Sequence, residues 1–444
     1  MNNSKVRHFT TILAAILVIG LILRIIVILW IPTVPTEDFW SYFQRAAHLT
    51  DFSSYDATIG WHEASYPPGY SLLLSLFFGL PFNRLLIAKL VNVFLSCTVI
   101  LLVSGISSLL FDQETALVAA AITALSPRLI LQNTLIASEN LLIPLLLLWI
   151  FLGMCCMQDL RIIKALLIGG LLGVLSLIRS VVFLISIPWF LSFLPLVKKN
   201  LGKLAIFIVI LLFGQVLVML PWAVRNYVVL GKGTFFTTTG GIDLFIGNNS
   251  NASGEWYVWT PDLISKYPDF LQKSVVVQDQ LAQHTAIKWM EENPIAALKL
   301  YFIKWGLIFK NDEFVPDMAI FSKQLSPPYP PSDVLIGNHP LKNYQATLNN
   351  LFNDHYWILL ILEILGVLFS LFKLIKDKNS IFFSRWLLMV LTALYFPTIT
   401  AVYLASTRFH WPVTDLLIPF SALPLVLAYK KIKSPFHQRK VVPS

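Results

Sequence analysis

Long apolar runs alternate with short polar ones along most of the 444 residues. The runs fall at about 9–30, 83–110, 115–131, 138–157, 164–181, 182–197, 204–223, 356–375, 384–402 and 411–429. Most approach the ~20 residues an α-helix needs to cross a ~30 Å hydrocarbon core. In lipid the backbone must satisfy its own polar groups, so such runs predict helices. The expected fold is an all-α polytopic membrane protein with about ten transmembrane helices. The first run follows Lys5, Arg7 and His8, carries Arg24 and lacks a small-x-small cleavage site. It is also too long for a cleaved signal peptide and is expected to stay as a signal anchor.

Two polar intervals are long, 31–68 and about 224–355. Between them, 69–80 is apolar but too short to span. Counting it as a span would put the basic loops on the outer side, so it is expected to be a short helix at the outer interface. The expected organisation is a transmembrane module over 1–223 with a catalytic first outer loop (31–82), a large outer loop over 224–355, and C-terminal helices with a basic cytoplasmic tail over 356–444. The outer loop holds an amphipathic helix at about 274–292 that stops at Asn293-Pro294. After it comes a segment, 294–310, with a basic and an apolar face suited to the membrane surface. Pro327-Pro328-Tyr329-Pro330-Pro331 reads as polyproline II.

Charge sets the orientation. Lys5 and Arg7, Arg161 and Lys164, Lys198, Lys199 and Lys203, Lys373, Lys376, Lys378 and Arg385, and the tail bases from Lys430 to Lys440 all fall on one side of the predicted spans. That asymmetry puts both termini in the cytoplasm. The localisation expected is a bacterial inner (plasma) membrane. The net charge of +9 is spent on these loops. It forms no basic face interleaved with exposed aromatics, so nucleic acid is not an expected partner. Cys97, Cys155 and Cys156 lie within apolar runs and read as small buried hydrophobes.

The candidate chemistry gathers beside the first run. Residues 36–80 hold five acids (Glu37, Asp38, Asp51, Asp56, Glu63) against one base, Arg45. Asp38, Tyr42 and Ala46 recur every four residues and would share a helix face. Asp38 has two readings, a first-turn acid favoured by the helix dipole and a general base at a membrane-surface site. Glu37 points elsewhere on such a helix. Glu63 and His62 precede Tyr66-Pro67-Pro68-Gly69-Tyr70. Two adjacent ligands do not complete a metal site, so no cofactor is firmly implied and a divalent metal stays open. Trp40, Trp61, Tyr66 and Tyr70 also suit an interfacial aromatic belt.

Arg24, Arg84, Lys89, Arg128, Glu139, Arg179, Glu363, Arg408 and Asp415 sit within or at the ends of spans. Such charges cost about 2.5–3.5 kcal/mol each and default to a functional reading. Arg128, Glu139, Arg179, Arg225 and Arg408 are expected on the same side as Asp38. Arg225, beside Asn226 and Trp222, is either an interfacial anchor or a phosphate clamp with paired donors. Arg408 has the same two readings. Gly240-Gly241 and Gly247-Asn248-Asn249 can offer backbone N–H groups to an anion. Asn248-Asn249-Ser250 and Asn251-Ala252-Ser253 match the N-glycosylation pattern.

These pieces together resemble the GT-C superfamily of integral-membrane glycosyltransferases, in its bacterial branch related to protein O-mannosyltransferases and the lipid A aminoarabinose transferase. The resemblance runs through Arg24; Asp38, Tyr42 and Ala46; Tyr66-Pro67-Pro68-Gly69-Tyr70; Ser138-Glu139-Asn140; Arg179; Pro221-Trp222 with Arg225-Asn226-Tyr227; Gly240-Gly241 with Gly247-Asn248-Asn249; and Arg408-Phe409 with Pro412. It implies an inverting transfer of a sugar from a polyprenyl-phosphate donor to a glycan, lipid or protein acceptor on the outer face, amid membrane lipids. Asp38 matches the position of the family's catalytic acid. Tyr42, Glu63, Tyr66, Glu139, Arg179, Arg225, Asn226, Asn248 and Arg408 are the expected substrate-binding residues. The chain departs from the family at Asp38-Phe39, where Asp-Glu is common, and at Arg179-Ser180, where Arg-Pro is frequent. No large soluble C-terminal domain is expected.

Two other classes fit parts of the pattern. A polysaccharide polymerase or ligase pairs many spans with a long outer loop, but its essential bases would sit in the large loops. A secondary transporter would show repeats and midplane breaks, whereas here the polar groups lie toward one surface.

Overall fold

The computed structural model describes residues 3–51, 65–157, 159–196, 201–321, 340–377 and 379–438. Its helices are α1 (Asn3–Trp30), α2 (Glu37–Thr50), α3 (Gly69–Ser75), α4 (Arg84–Leu110), α5 (Gln113–Leu125), α6 (Pro127–Leu131), α7 (Glu139–Cys156), α8 (Ile162–Ser176) and α9 (Ser186–Phe193). They continue with α10 (Leu201–Leu230), α11 (Gly240–Gly247), α12 (Thr260–Lys266), α13 (Val275–Glu292), α14 (Pro294–Ile308), α15 (Phe314–Pro316), α16 (Gln345–Asp377), α17 (Ser380–Thr400) and α18 (Trp411–Gln438). Short 3-10 turns precede α9 (Ser180–Leu184) and α18 (Thr407–His410).

The protein is an integral, multi-pass membrane protein. Seven helices (α1, α4, α7, α10, α16, α17 and α18) are long and apolar enough to cross a membrane. An eighth span forms if α5 and α6 are counted together across their 52° bend. The stretches expected to span at 164–181 and 182–197 instead form shorter helices, α8 of 15 residues and α9 of 8. A polar turn at Arg179 divides them. The expected helix at 69–80 is α3, a single short element ending at Ser75. The polyproline segment at 327–331 lies outside the described residues.

The bend at Pro127 has a local cause. Ser126 is extended, as a residue before proline prefers, and Pro127 has no N–H to continue the helix. The last carbonyls of α5 therefore lack helical partners. Arg24 of α1 supplies them, donating to Ala124 at 3.0 Å and Thr123 at 3.1 Å, while its Nε donates to Ser96 of α4 at 2.8 Å. An intramembrane charge flagged in the sequence as costly thus ties three helices.

Small residues set the closest packing. A Cβ at Gly169 would overlap the Leu211 carbonyl, and one at Gly173 or Gly214 would meet a carbonyl of the facing helix at 2.7 Å. This is how α8 lies against α10 without a hydrophobic drive between helices in lipid. Gly366 brings α16 onto the backbone at Phe420 of α18 in the same way. The segment between α10 and α16 has its own small core from α11, α12, α13 and the turn at Phe270, built on Ile242, Phe245, Leu263, Phe270, Ala282 and Ala286. Its next helix, α14, leaves Ile295, Leu298 and Phe302 exposed.

Candidate active site around Asp38

Helix α2 buries Phe39, Tyr42, Arg45 and Ala46, and the expected face carrying Asp38, Tyr42 and Ala46 forms. Asp38 stands in the first turn and stays half-buried. Its partners decide between its two readings. The carboxylate accepts from the Tyr66 hydroxyl at 2.7 Å on one oxygen and from the Arg408 guanidinium at 2.7 Å on the other. These are side chains brought from far along the chain, where a cap would bond backbone N–H groups of its own helix. Before it, Glu37 is exposed and holds a φ of 50°, the one positive φ at a non-glycine residue among the described residues. Such strained positions persist only where the surroundings over-determine them.

The Tyr-Pro-Pro-Gly-Tyr turn places Tyr66. The Gly69 N–H donates to the Leu177 carbonyl at 2.8 Å, and a Cβ at Gly69 would sit 2.9 Å from that oxygen. The turn therefore lies directly on the end of α8, two residues before Arg179. Tyr70 donates to Asn92 at 2.7 Å, and Asn92 donates to the Leu135 carbonyl at 2.9 Å. Tyr42 packs its ring against both tyrosines, with centroids 5.4 Å from Tyr66 and 5.7 Å from Tyr70. The Arg45 guanidinium lies 5.1 Å over the Tyr66 ring.

On the other side stand two arginines and a second acid. Glu139 opens α7, where the helix dipole favours an anion. It pairs with Arg179 and lies 4.0 Å from Nε of Arg408. The Phe409 ring is shared, 5.8 Å from Arg179 and 5.7 Å from Arg408. Asp38, Tyr66, Glu139, Arg179 and Arg408 therefore form one cluster, with Tyr42 against it. Burial disfavours the charge of Asp38, but the Arg408 guanidinium, the Tyr66 hydroxyl and the Arg179 charge outweigh it. They hold the carboxyl below its ordinary range. Burial and the Asp38 charge push the Tyr66 phenol well above its usual value, so it stays protonated and donates to Asp38. The result is an ionised carboxylate beside two guanidinium groups.

One acid at this cluster was not singled out from the sequence. Asp243 is half-buried on α11, whose other residues from Gly241 to Gly247 are buried. Burial, and then the charges of Asp38 and Asp279, push its carboxyl up to about 7, against the opposing pull of Arg408 and Arg179. The available signal was an acid inside an otherwise apolar eight-residue piece, GGIDLFIG, between the two glycine motifs.

Other expected site residues lie elsewhere. Asn226 is buried, donates to the Thr234 carbonyl at 2.9 Å and accepts from Arg225 at 3.1 Å. The Arg225 guanidinium also stacks 5.1 Å over Trp222. Asn248 donates to the Leu244 and Val402 carbonyls and accepts from Lys304 at 3.1 Å, so its amide is committed at both ends. Glu63 and His62 lie outside the described residues. Among the described residues no three His, Cys, Asp or Glu side chains form a group able to hold a metal.

Arg128, expected on the same side as Asp38, does not join the Asp38 cluster. It pairs with Asp415 and lies 3.7 Å from Asp312. Asp312 in turn accepts from Trp411 at 3.2 Å and stands 3.4 Å from His410. This second cluster is sealed among α6, α16 and α18.

The fold can be set beside known structures. It is similar to the oligosaccharyltransferase of Archaeoglobus fulgidus tethered to an acceptor peptide containing the NVT sequon. The TM-score is 0.56 at 16% identity, over 96% of this chain and 50% of that one. The same archaeal enzyme, AglB, in complex with an inhibitory peptide and a dolichol-phosphate gives a TM-score of 0.56 at 15% identity, over 99% of this chain and 52% of that one. This chain therefore spans about half the length of the structures it matches. No protein-family model and no curated protein matches it. The chain shares the fold of these oligosaccharyltransferase structures.

Proposed function

We propose that this protein is an inverting glycosyltransferase that moves a sugar from a polyprenyl-phosphate donor to an acceptor on the outer face of a bacterial inner membrane, with both termini cytoplasmic. The observation that carries the reading is the Asp38 carboxylate, held ionised between Tyr66 and Arg408 within a GT-C fold. A polyprenyl phosphate keeps its lipid in the bilayer and its phosphate at the interface. The enzyme must then offer cations to the departing phosphate and a carboxylate to the incoming acceptor. Arg179 and Arg408 are the cations nearest Asp38. Arg225 is a further candidate at the end of α10. The dolichol-phosphate in the archaeal neighbour supports a lipid-phosphate donor by analogy of fold.

In the step itself the acceptor hydroxyl oxygen attacks the anomeric carbon. The new carbon–oxygen bond forms as the carbon–oxygen bond to phosphate breaks. The electron pair leaves with the lipid phosphate, where guanidinium groups stabilise the developing charge. The acceptor proton goes to Asp38. One base on the face opposite the leaving group suffices for inversion.

The test uses purified protein in lipid nanodiscs with radiolabelled polyprenyl-phosphate hexoses and pentoses, and glycan, lipid and peptide acceptors. Transfer with release of polyprenyl phosphate, absent in Asp38→Asn, is the expected result. No transfer from any of these donors by wild-type protein would overturn the reading.

A further inference from the structure

Arg408 stands on the short 3-10 turn Thr407–His410, and the non-helical linker 401–406 joins that turn to the end of α17. Irregular backbone of this kind does not fix a side chain by itself. The segment between α10 and α16 does the fixing. Tyr301 donates to the Thr398 carbonyl at 3.3 Å, near the end of α17. Asn248 donates to the Val402 carbonyl at 2.9 Å, and the Ala405 N–H donates to the Gly254 carbonyl at 2.8 Å.

Lys304 of α14 lies at the centre of these ties and is fully buried. Its ammonium group donates to the carbonyls of Tyr403 at 3.0 Å, Gly247 at 3.2 Å and Val402 at 3.3 Å, and to the side-chain oxygen of Asn248 at 3.1 Å. Two of these oxygens come from the end of α11 and two from the linker. All four are uncharged, and their negative ends converge on one point. A buried ammonium is tolerated only when hydrogen-bonded in this way. The converse also holds, because the four oxygens repel one another unless a cation sits between them. One turn further along α14, the Ile308 carbonyl accepts from Nδ1 of His410 at 3.0 Å. Helix α14 therefore grips the chain on both sides of Arg408, at Tyr403 before it and at His410 after it.

We propose that Lys304 is a positioning residue of the site: its caged ammonium group joins the linker to α11 and α14 and thereby sets where Arg408 meets Asp38. This rests on the reading of Asp38 and Arg408 as the groups that act on acceptor and donor. Lys304→Met keeps length and apolar packing but leaves the four oxygens without their cation. The end of α11 and the linker then separate, and Arg408 withdraws from the Asp38 carboxylate.

Two measurements on the full-length protein in nanodiscs test this. The first needs no substrate. Infrared titration of protein carrying ¹³C-labelled aspartate, with Asp38→Asn as the blank, follows the Asp38 carboxyl. Arg408, Tyr66 and Arg179 hold that carboxyl down, and the acids Glu37 and Asp243 act against them. In Lys304→Met the titration should move to higher pH. It should move no further when Lys304→Met is added to Arg408→Lys, because the route of the effect is already cut. The second measurement is transfer from the radiolabelled donors. A misplacement on the order of 1 Å can cost about a hundredfold, so turnover in Lys304→Met should fall roughly ten- to a hundredfold. The losses from Lys304→Met and Arg408→Lys should be less than multiplicative, as for residues that act as one unit. Lys304→Gln keeps an amide donor in the cage. It should shift the Asp38 titration less and in the same direction, and it carries the test if the methionine variant accumulates poorly.

A side chain that only stabilises the fold would lower the unfolding temperature and leave the Asp38 titration in place. An unmoved titration in folded Lys304→Met or Lys304→Gln, or losses that multiply with those of Arg408→Lys, overturns the positioning role and leaves the glycosyltransferase reading standing. Wild-type protein inert toward every donor, with the titration shift present, overturns the glycosyltransferase reading and leaves Lys304 as the residue that places Arg408.

Discussion

Two ionic clusters hang from one short segment of this chain, and they are built from the same residue types to opposite ends. Arg408 enters the cluster of Asp38, Glu139 and Arg179. His410, Trp411 and Asp415, a few residues on, enter the cluster of Arg128 and Asp312. Side chains in the second are all but closed to solvent, at 4% for Arg128, 3% for Asp312 and 0% for Asp415. In the first, Asp38 keeps 28%, Arg179 22% and Arg408 17% of their exposure. A sealed ion pair can hold helices together but cannot meet a substrate. An open one, with a carboxylate held ionised, can. Phe314 bridges the two, 5.6 Å under Arg408 and 5.7 Å from the Trp411 ring.

The comparison breaks most sharply at Arg128. Arg128→Gln leaves Asp312 and Asp415 buried without their cation. Removing one partner of a buried pair typically costs about 3–5 kcal/mol. The variant should accumulate poorly and unfold at a clearly lower temperature in detergent, yet whatever folds should turn over normally. A stable Arg128→Gln protein that has lost transfer would mean that the sealed cluster takes part in chemistry, and the contrast between the two would fail.

Asp38→Asn should do the reverse. It keeps the shape of the side chain but removes the base, so turnover of the folded protein should drop at least about a hundredfold, equivalent to about 2.7 kcal/mol of barrier, with donor binding retained and only the part of the stability that rests on the Arg408 pair lost. Glu37→Gln, on the exposed neighbour, should change rate little. Near-normal transfer by a well-folded Asp38→Asn protein would return Asp38 to a role in folding.

What the sequence allowed to be read, and what it did not, follows the same division. Spanning helices are written in long apolar runs, so α1, α4, α7, α10, α16, α17 and α18 were visible before the structure. The lengths of α8 and α9 were not, because Arg179 interrupts a continuous apolar stretch. The chemistry of the Asp38 cluster was legible as charges beside the membrane, and its spacing on α2 held. Partner choice was not. Arg128, near the end of the run at 115–131, and Arg408, just before the run at 411–429, both read as arginines at span ends, and only the packing of α6 and α18 sends them to different acids. Asp243 was hidden because hydropathy averaging absorbs one acid among apolar neighbours. Asn248 looked like an anion ligand because its motif is glycine-rich. In the structure Gly247 permits contact with the Tyr403 backbone and Gly241 with the Asp279 backbone.

The smallest expected effect is also the most diagnostic of how Asp38 is held. Tyr66→Phe deletes one hydroxyl hydrogen bond to the carboxylate and leaves the ring packing against Tyr42. A hydrogen bond to a charged group contributes about 1.5–3 kcal/mol when both partners are buried. Asp38 is partly open and keeps Arg408, so a loss toward the lower end is expected. The sign for catalysis is set by what the bond does. Tyr66 favours the ionised carboxylate, so its removal raises the carboxyl's affinity for protons. Activity is present while Asp38 is ionised and is lost as pH falls through its titration. The acid limb of the pH–rate profile should therefore move to higher pH in Tyr66→Phe, while the rate at neutral pH changes only a few-fold. Arg408→Lys should move the same limb further, because a point charge cannot reproduce the guanidinium's directed bond. An acid limb that stays in place, or moves to lower pH, would mean that the titrating group in turnover is not the carboxylate held by Tyr66.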